Sequence, residues 1–107
     1  MDVMKGTLDA MVLKALSWGP GHGYAVTRWI RGQTDGALDV EDAALYQALH
    51  RMEERGWITA EWGLSENKRR ARYYALTDTG RVQLEREAGA IRRYVEALFK
   101  VLEAEEA

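Results

Sequence analysis

Residues 45–76 read LYQALHRMEERG (45–56), WITAEWG (57–63), LSENKRR (64–70) and ARYYAL (71–76), and this stretch decides the fold. Leu45, Ala48, Leu49 and Met52 recur at the i, i+3, i+4, i+7 spacing of an amphipathic helix, so one side of the segment is apolar. Gly56 follows the last periodic turn and suits the left-handed position just past a helix, with Trp57 placed to pack back on it. Ile58, Ala60 and Trp62 alternate on a first strand, Tyr74 and Leu76 on a second. The turn between them carries Lys68, Arg69 and Arg70, with Arg72 just beyond. A helix able to enter a DNA groove, followed by a cationic hairpin able to grip phosphate, is the winged-helix plan.

Upstream, a first helix is expected from about residue 5 to 18, with Leu8, Val12, Ala15 and Leu16 as its buried stripe and Met4 and Met11 nearby. Gly19-Pro20 ends it, since proline cannot continue a helix. His22-Gly23-Tyr24 opens a second helix that turns Val26, Trp29 and Ile30 inward, and residues 32–36 form a turn-rich break. The third helix starts near Asp42, with Asp39 or Asp42 as cap candidates. Thr77 is a good N-cap for a last helix, and Asp78 suits the positive end of its dipole. Along that helix Leu84, Ala88, Ile91, Val95, Leu98 and Leu102 alternate spacings of four and three, an a/d seam. A three-helix head cannot cover so long a seam, so the pattern predicts a second copy of the helix beside it. The expected fold is mainly α with a small β-hairpin. Residues 1–78 form a winged helix-turn-helix DNA-binding domain, and residues 79–107 a C-terminal dimerisation helix.

The chain has 107 residues, 47 % of them hydrophobic, which fits one folded domain whose modest core gains from association. It contains no run of about 18 apolar residues and no signal-peptide layout at the N-terminus, which predicts a cytoplasmic protein without a membrane partner. The absence of cysteine excludes disulfides and thiolate metal sites. A formal charge of −2 argues against nucleic acid only superficially. Four of the five residues 68–72 are basic, while Glu103, Glu105 and Glu106 crowd the far end, so the acidic excess lies away from the hairpin.

At about 100° per residue, Ala43, Gln47, His50 and Glu54 fall opposite the apolar side of the third helix, with Ala44 and Arg51 on one flank and Tyr46 on the other. The DNA-facing candidates are Ala43, Ala44, Tyr46, Gln47, His50 and Arg51. Gln47 can pair two-pronged with an adenine edge, Arg51 can reach guanine or phosphate, and alanine can meet a thymine methyl. Lys68, Arg69, Arg70 and Arg72 are the phosphate candidates of the wing. Lys5, Thr7 and Tyr24 add further phosphate candidates at helix starts, where free N–H groups attract anions. The four tryptophans, Trp18, Trp29, Trp57 and Trp62, read as core and wing packing. His22 and His50 have no spaced partners for a metal. Glu53-Glu54 and Glu105-Glu106 read as solvated charge. With no nucleophile–base signature and no phosphate-cradling glycine loop, the sequence predicts neither enzyme activity nor a cofactor.

Three segments together resemble the PadR family of bacterial transcriptional regulators: KGTLDAMVLKALSWGPGHGY (5–24), ALYQALHRMEERGWI (44–58) and EWGLSENKRRARYYALTDTGR (61–81). The resemblance implies a winged-helix head, a homodimer, and repression relieved by a small molecule. The single C-terminal helix is similar to the compact branch of that family. DNA contact is implied for the exposed side of the third helix, including Tyr46, for the wing bases, and for the helix starts near Lys5 and Tyr24. The family often has proline where Gln47 stands and serine or glycine near Ala44. Some compact members stack flat drugs on a tryptophan of the last helix, where this chain has only Tyr94 and Phe99.

Taken together, the expectation is a dimeric repressor on a pseudo-palindromic operator. A possible small apolar or aromatic effector would sit among Met11, Ala15, Ile91, Tyr94, Val95 and Leu98. The alternative is a winged helix that binds protein and has no DNA target of its own.

Overall fold

The computed structural model describes residues 3–106, with side chains from residue 6 onward. In chain order the elements are α1 (Val3–Leu16), β1 (Gly21–His22), α2 (Gly23–Gln33), α3 (Asp42–Glu54), β2 (Ile58–Leu64), β3 (Arg70–Leu76) and α4 (Asp78–Leu102). α1 is the central helix and packs against α2, α3, β3 and α4. It therefore buries more than one stripe: Val12 and Leu16 enter the core as expected, and so does Leu13, from outside the expected stripe. Val26 and Ile30 of α2, Leu45, Ala48, Leu49 and Met52 of α3, Ile58 of β2 and Tyr74 of β3 complete that core.

The ends of the helices are set by local chemistry. His22 caps α2, its Nδ1 accepting the Ala25 N–H at 3.1 Å. α3 departs from expectation: Glu41 occupies the cap position without a side-chain bond, and Asp39 lies 3.7 Å from Arg31 instead. At the other end Gly56 takes φ +76°. Its N–H donates to Glu53 O and that of Trp57 to Met52 O, each at 3.0 Å, the pair of bonds that closes a helix on a left-handed glycine. Thr77 caps α4 by accepting the Gly80 N–H at 3.0 Å.

β2 and β3 form the antiparallel wing, in register from Ile58↔Leu76 to Leu64↔Arg70. The tip is closed by bonds from Ser65 N to Arg69 O (2.8 Å) and Lys68 N to Ser65 O (2.9 Å), with Lys68 at φ +58°. The sheet has a third strand that the alternation did not announce: β1 pairs with β3 through Gly21↔Tyr74 and His22↔Tyr73. Two residues are too few to show a period, and β1 forms because β3 offers its free edge.

Two of the four tryptophans depart from the packing role. Trp18 and Trp62 are 69 % and 60 % exposed, whereas Trp29 and Trp57 pack against the core. On α4, Leu84 packs against the head, while Tyr94, Leu98, Phe99, Val101 and Leu102 are exposed beyond it, which gives the chain a length of 63 Å against 29 and 22 Å. Among the described residues no helix is long and apolar enough to cross a membrane.

Gly80 is buried where α4 passes over the corner between α3 and β2. A Cβ there would overlap the Trp57 carbonyl oxygen and come within 2.7 Å of Leu76 Cδ1. Because one of these neighbours is backbone, a side-chain adjustment cannot make room. Gly80→Ala is expected to lower the unfolding free energy by about 2–3 kcal/mol in urea titrations, as overpacking does elsewhere.

Candidate nucleic-acid interface

A concavity of about 780 Å³ opens between the start of α2, the exposed flank of α3 and the wing. Gly23 allows the close approach that forms its floor: a Cβ there would lie 3.2 Å from Tyr46 Oη and 3.3 Å from Leu45 Cδ2. Of the candidates read from the sequence, Tyr24, Tyr46, Arg69, Arg70 and Arg72 line this one space. Tyr24 and Tyr46 are well exposed, and Lys68, Arg69 and Arg70 are exposed at the tip and the first position of β3. Ala43, Gln47 and His50 are exposed on α3 but do not line the concavity. Ala44 is half-buried. His50 Nε2 lies 2.9 Å from Glu54 Oε1, one turn along the same helix.

Other candidates stand elsewhere. Thr7 is half-buried on α1 and outside the concavity, and the side chain of Lys5 lies outside the described residues. Arg51, expected on the DNA-facing flank, turns toward the interior: its Nη2 donates to Asp9 Oδ1. Its side chain is 27 % exposed and that of Asp9 6 %. The reason is that α1 runs beneath α3 and brings a carboxylate to the flank that helical periodicity alone leaves open to solvent. Arg72 keeps its place on the wing, but its Nη2 donates to Glu53 Oε2 of α3 at 3.1 Å.

Several lining residues were not among the DNA-contact candidates read from the sequence. Arg28 stands one turn after Tyr24, with its guanidinium 5.3 Å from that ring. The i, i+4 spacing on α2 is the signal that could have found it. His22, Trp62, Ser65 and Asn67 join the lining only through the tertiary fold. Tyr74 sits beneath the wing, where burial pushes its hydroxyl above the ordinary tyrosine range and the nearby Arg72 guanidinium partly opposes the shift. The concavity is therefore lined by two exposed tyrosines, four arginines, one carboxylate (Glu66) and the polar groups of a turn, a surface whose excess of cations suits phosphate oxygens.

A second, apolar groove of about 560 Å³ lies between α1, α2 and α4. Met11, Ile91 and Val95 of the expected effector set line it, as do Leu84 and Ala88 of the seam. Ala15, Tyr94 and Leu98 do not. Ala15 borders a smaller cleft beside Trp18 and Pro20, Tyr94 is turned about 100° from Val95, and Leu98 lies a heptad position further out. α2 supplies the missing wall with Trp29, Ile30, Gln33 and Thr34.

The profile of the PadR-like family of transcriptional regulators matches residues 12–86. This chain belongs to that family. The family is one of transcriptional regulators, not of enzymes. A transcriptional regulator from Clostridium thermocellum is 30 % identical, with a TM-score of 0.76 and 96 % of each chain covered. Bacillus subtilis PadR, solved in complex with operator DNA, is 24 % identical with a TM-score of 0.66, over 74 % of this chain and 45 % of that one. A 37.1 kDa protein of a Streptomyces fradiae transposon is 37 % identical over 90 residues, which are 84 % of this chain and about a quarter (24 %) of that relative. The likeness to the Bacillus subtilis protein is one of fold.

Asp9 is the one buried charged residue among the described residues, and Arg51 Nε is buried without an acceptor. Removing the carboxylate strands a largely buried cation. Asp9→Ala is expected to cost about 2–3 kcal/mol of stability, below the full value for a buried pair because Arg51 keeps some solvent. The double variant Asp9→Leu/Arg51→Met is expected to regain most of that loss in the same denaturation assay.

Proposed function

We propose that this chain is a dimeric, DNA-binding repressor whose grip is relieved by a small apolar or aromatic effector. Residues 1–78 act as the DNA-binding head, residues 79–107 as the dimerisation helix, and the site of action is the cytoplasm. The observation that carries the reading is the shared concavity: Tyr46 of α3, Tyr24 and Arg28 of α2, and Arg69 and Arg70 of the wing border one space. Gln47 and His50 are exposed on the same helix as Tyr46. With α3 in a major groove, Ala43, Gln47 and His50 read base edges while the wing follows the backbone. The operator complex of the related Bacillus subtilis protein supports a DNA target for this fold.

Dimerisation is supported by the apolar surface that one copy leaves open. The groove is walled by Leu84, Ala88, Ile91 and Val95, and α4 continues past it with Leu98, Phe99, Val101 and Leu102 exposed. A second copy covers both. The effector reading rests on the same groove, where Met11, Trp29, Ile91 and Val95 offer apolar contact. A ligand there acts by binding unequally to head spacings that do and do not match the operator.

Selection from random duplexes is expected to enrich a pseudo-palindrome with half-sites roughly 10 bp apart or a multiple of that; no enriched palindrome favours a protein-binding module instead. On the selected duplex, Arg69→Ala/Arg70→Ala should weaken binding to every sequence and flatten the log K against log salt slope by up to about two units. An unchanged slope removes the wing from the contacts. Leu98→Asp is expected to sediment as a monomer where the parent sediments as a dimer, because it places a charge in the proposed interface; a dimeric variant refutes the seam.

A further inference from the structure

Trp62 lies mid-strand in β2, directly across from Arg72, and remains 60 % exposed. Successive side chains alternate faces along a strand, so Arg70 and Arg72 share the face that Trp62 occupies. The Arg70 guanidinium stands 4.7 Å from the centre of the indole ring and that of Arg72 5.9 Å, both within the range of cation–π attraction. The two arginines differ in what else holds them. Arg72 is bonded to Glu53 on α3, while Arg70 has no carboxylate partner among the described residues. All three side chains line the concavity between wing and α3.

We propose that Trp62 is a positioning residue for duplex binding: its indole face holds Arg70 toward the phosphate path and Arg72 against Glu53. The proposal rests on the DNA-binding reading and adds a division of labour within the wing. Arg72, its charge met by Glu53, ties the wing to α3. Of the two arginines beside the indole, Arg70 is the cation left for a phosphate. The indole does not touch DNA; it restricts two flexible side chains before the duplex arrives, which lowers the entropy lost on binding.

The test is a double-mutant cycle on the full chain, binding the duplex recovered by selection over a range of salt. Trp62→Ala is expected to weaken binding by about five- to tenfold, the range for freeing rotamer-rich side chains at an interface. Its salt slope should stay unchanged, because no cation is removed. Its melting temperature should stay within about 4 °C of the parent, as for other exposed positions. Trp62→Phe, which keeps a ring face, should stay within about twofold of the parent. Arg70→Ala should lower the slope by about one unit, and Arg72→Ala by clearly less. In an Arg70→Ala/Arg72→Ala background, Trp62→Ala should have almost no further effect.

Additive losses in that background would mean that the indole contacts DNA itself, and would overturn the proposal. So would parental affinity in Trp62→Ala, or equal slopes for the two arginine variants. A parent chain that binds no duplex removes the DNA reading itself, a separate outcome from failure of the cycle.

Discussion

The carbonyl groups of Gly56 and Trp57 hold together the end of α3, the root of the wing and the start of α4. The Thr77 N–H donates to Trp57 O at 3.0 Å, and its hydroxyl lies 2.7 Å from Gly56 O and 3.0 Å from Trp57 O. Gly80 lets the first turn of α4 rest on the same peptide. The end of α3, the root of the wing and the start of α4 therefore meet at one corner, with the backbone groups paired. A wing hinged at that corner has a defined angle to α3, and α4 has a defined direction away from the head.

The wing and α3 are tied at a second level by side chains. Arg72 reaches Glu53 across the gap, and Trp62 lies over Arg70 and Arg72. On the opposite flank of α3, Arg51 is held by Asp9 of α1. α3 is thus fastened on both flanks, and Tyr46, Gln47 and His50 remain between the two fastenings. Burying Arg51 with Asp9 involves desolvating charge, and what it provides is a fixed seat of α3 on the helix that also packs along α4.

The long last helix does two things along its length. Its first three turns are part of the head, through the Thr77 cap, the Gly80 contact and Leu84 packed against the core. Its later turns carry apolar residues that stay exposed: Leu98, Phe99, Val101 and Leu102. The groove beside α1 and α2 lies where these two regimes meet. A molecule seated there would touch both the helix beneath α3 and the helix proposed to join a second copy.

Local order was legible from residues alone wherever a signal acts within a few positions. The apolar period of α3, the left-handed stop at Gly56, the Thr77 cap and the alternation of the wing strands all depend on neighbours along the chain, and the structure has each of them. Relationships between distant segments had no such signal. Arg51 looks free on a helical wheel because the wheel does not contain Asp9, 42 residues away. Leu13 looks surplus until α1 is surrounded, β1 is too short to show a period, and the apolar groove takes Trp29 and Ile30 of α2 where Ala15, Tyr94 and Leu98 were expected. Sequence by itself determined the four helices, the two wing strands and those ends that a cap or a left-handed glycine marks, since backbone conformation and capping are short-range. Only the tertiary structure decided which charges are buried and which cations remain for a ligand, because desolvation depends on what the rest of the chain brings alongside.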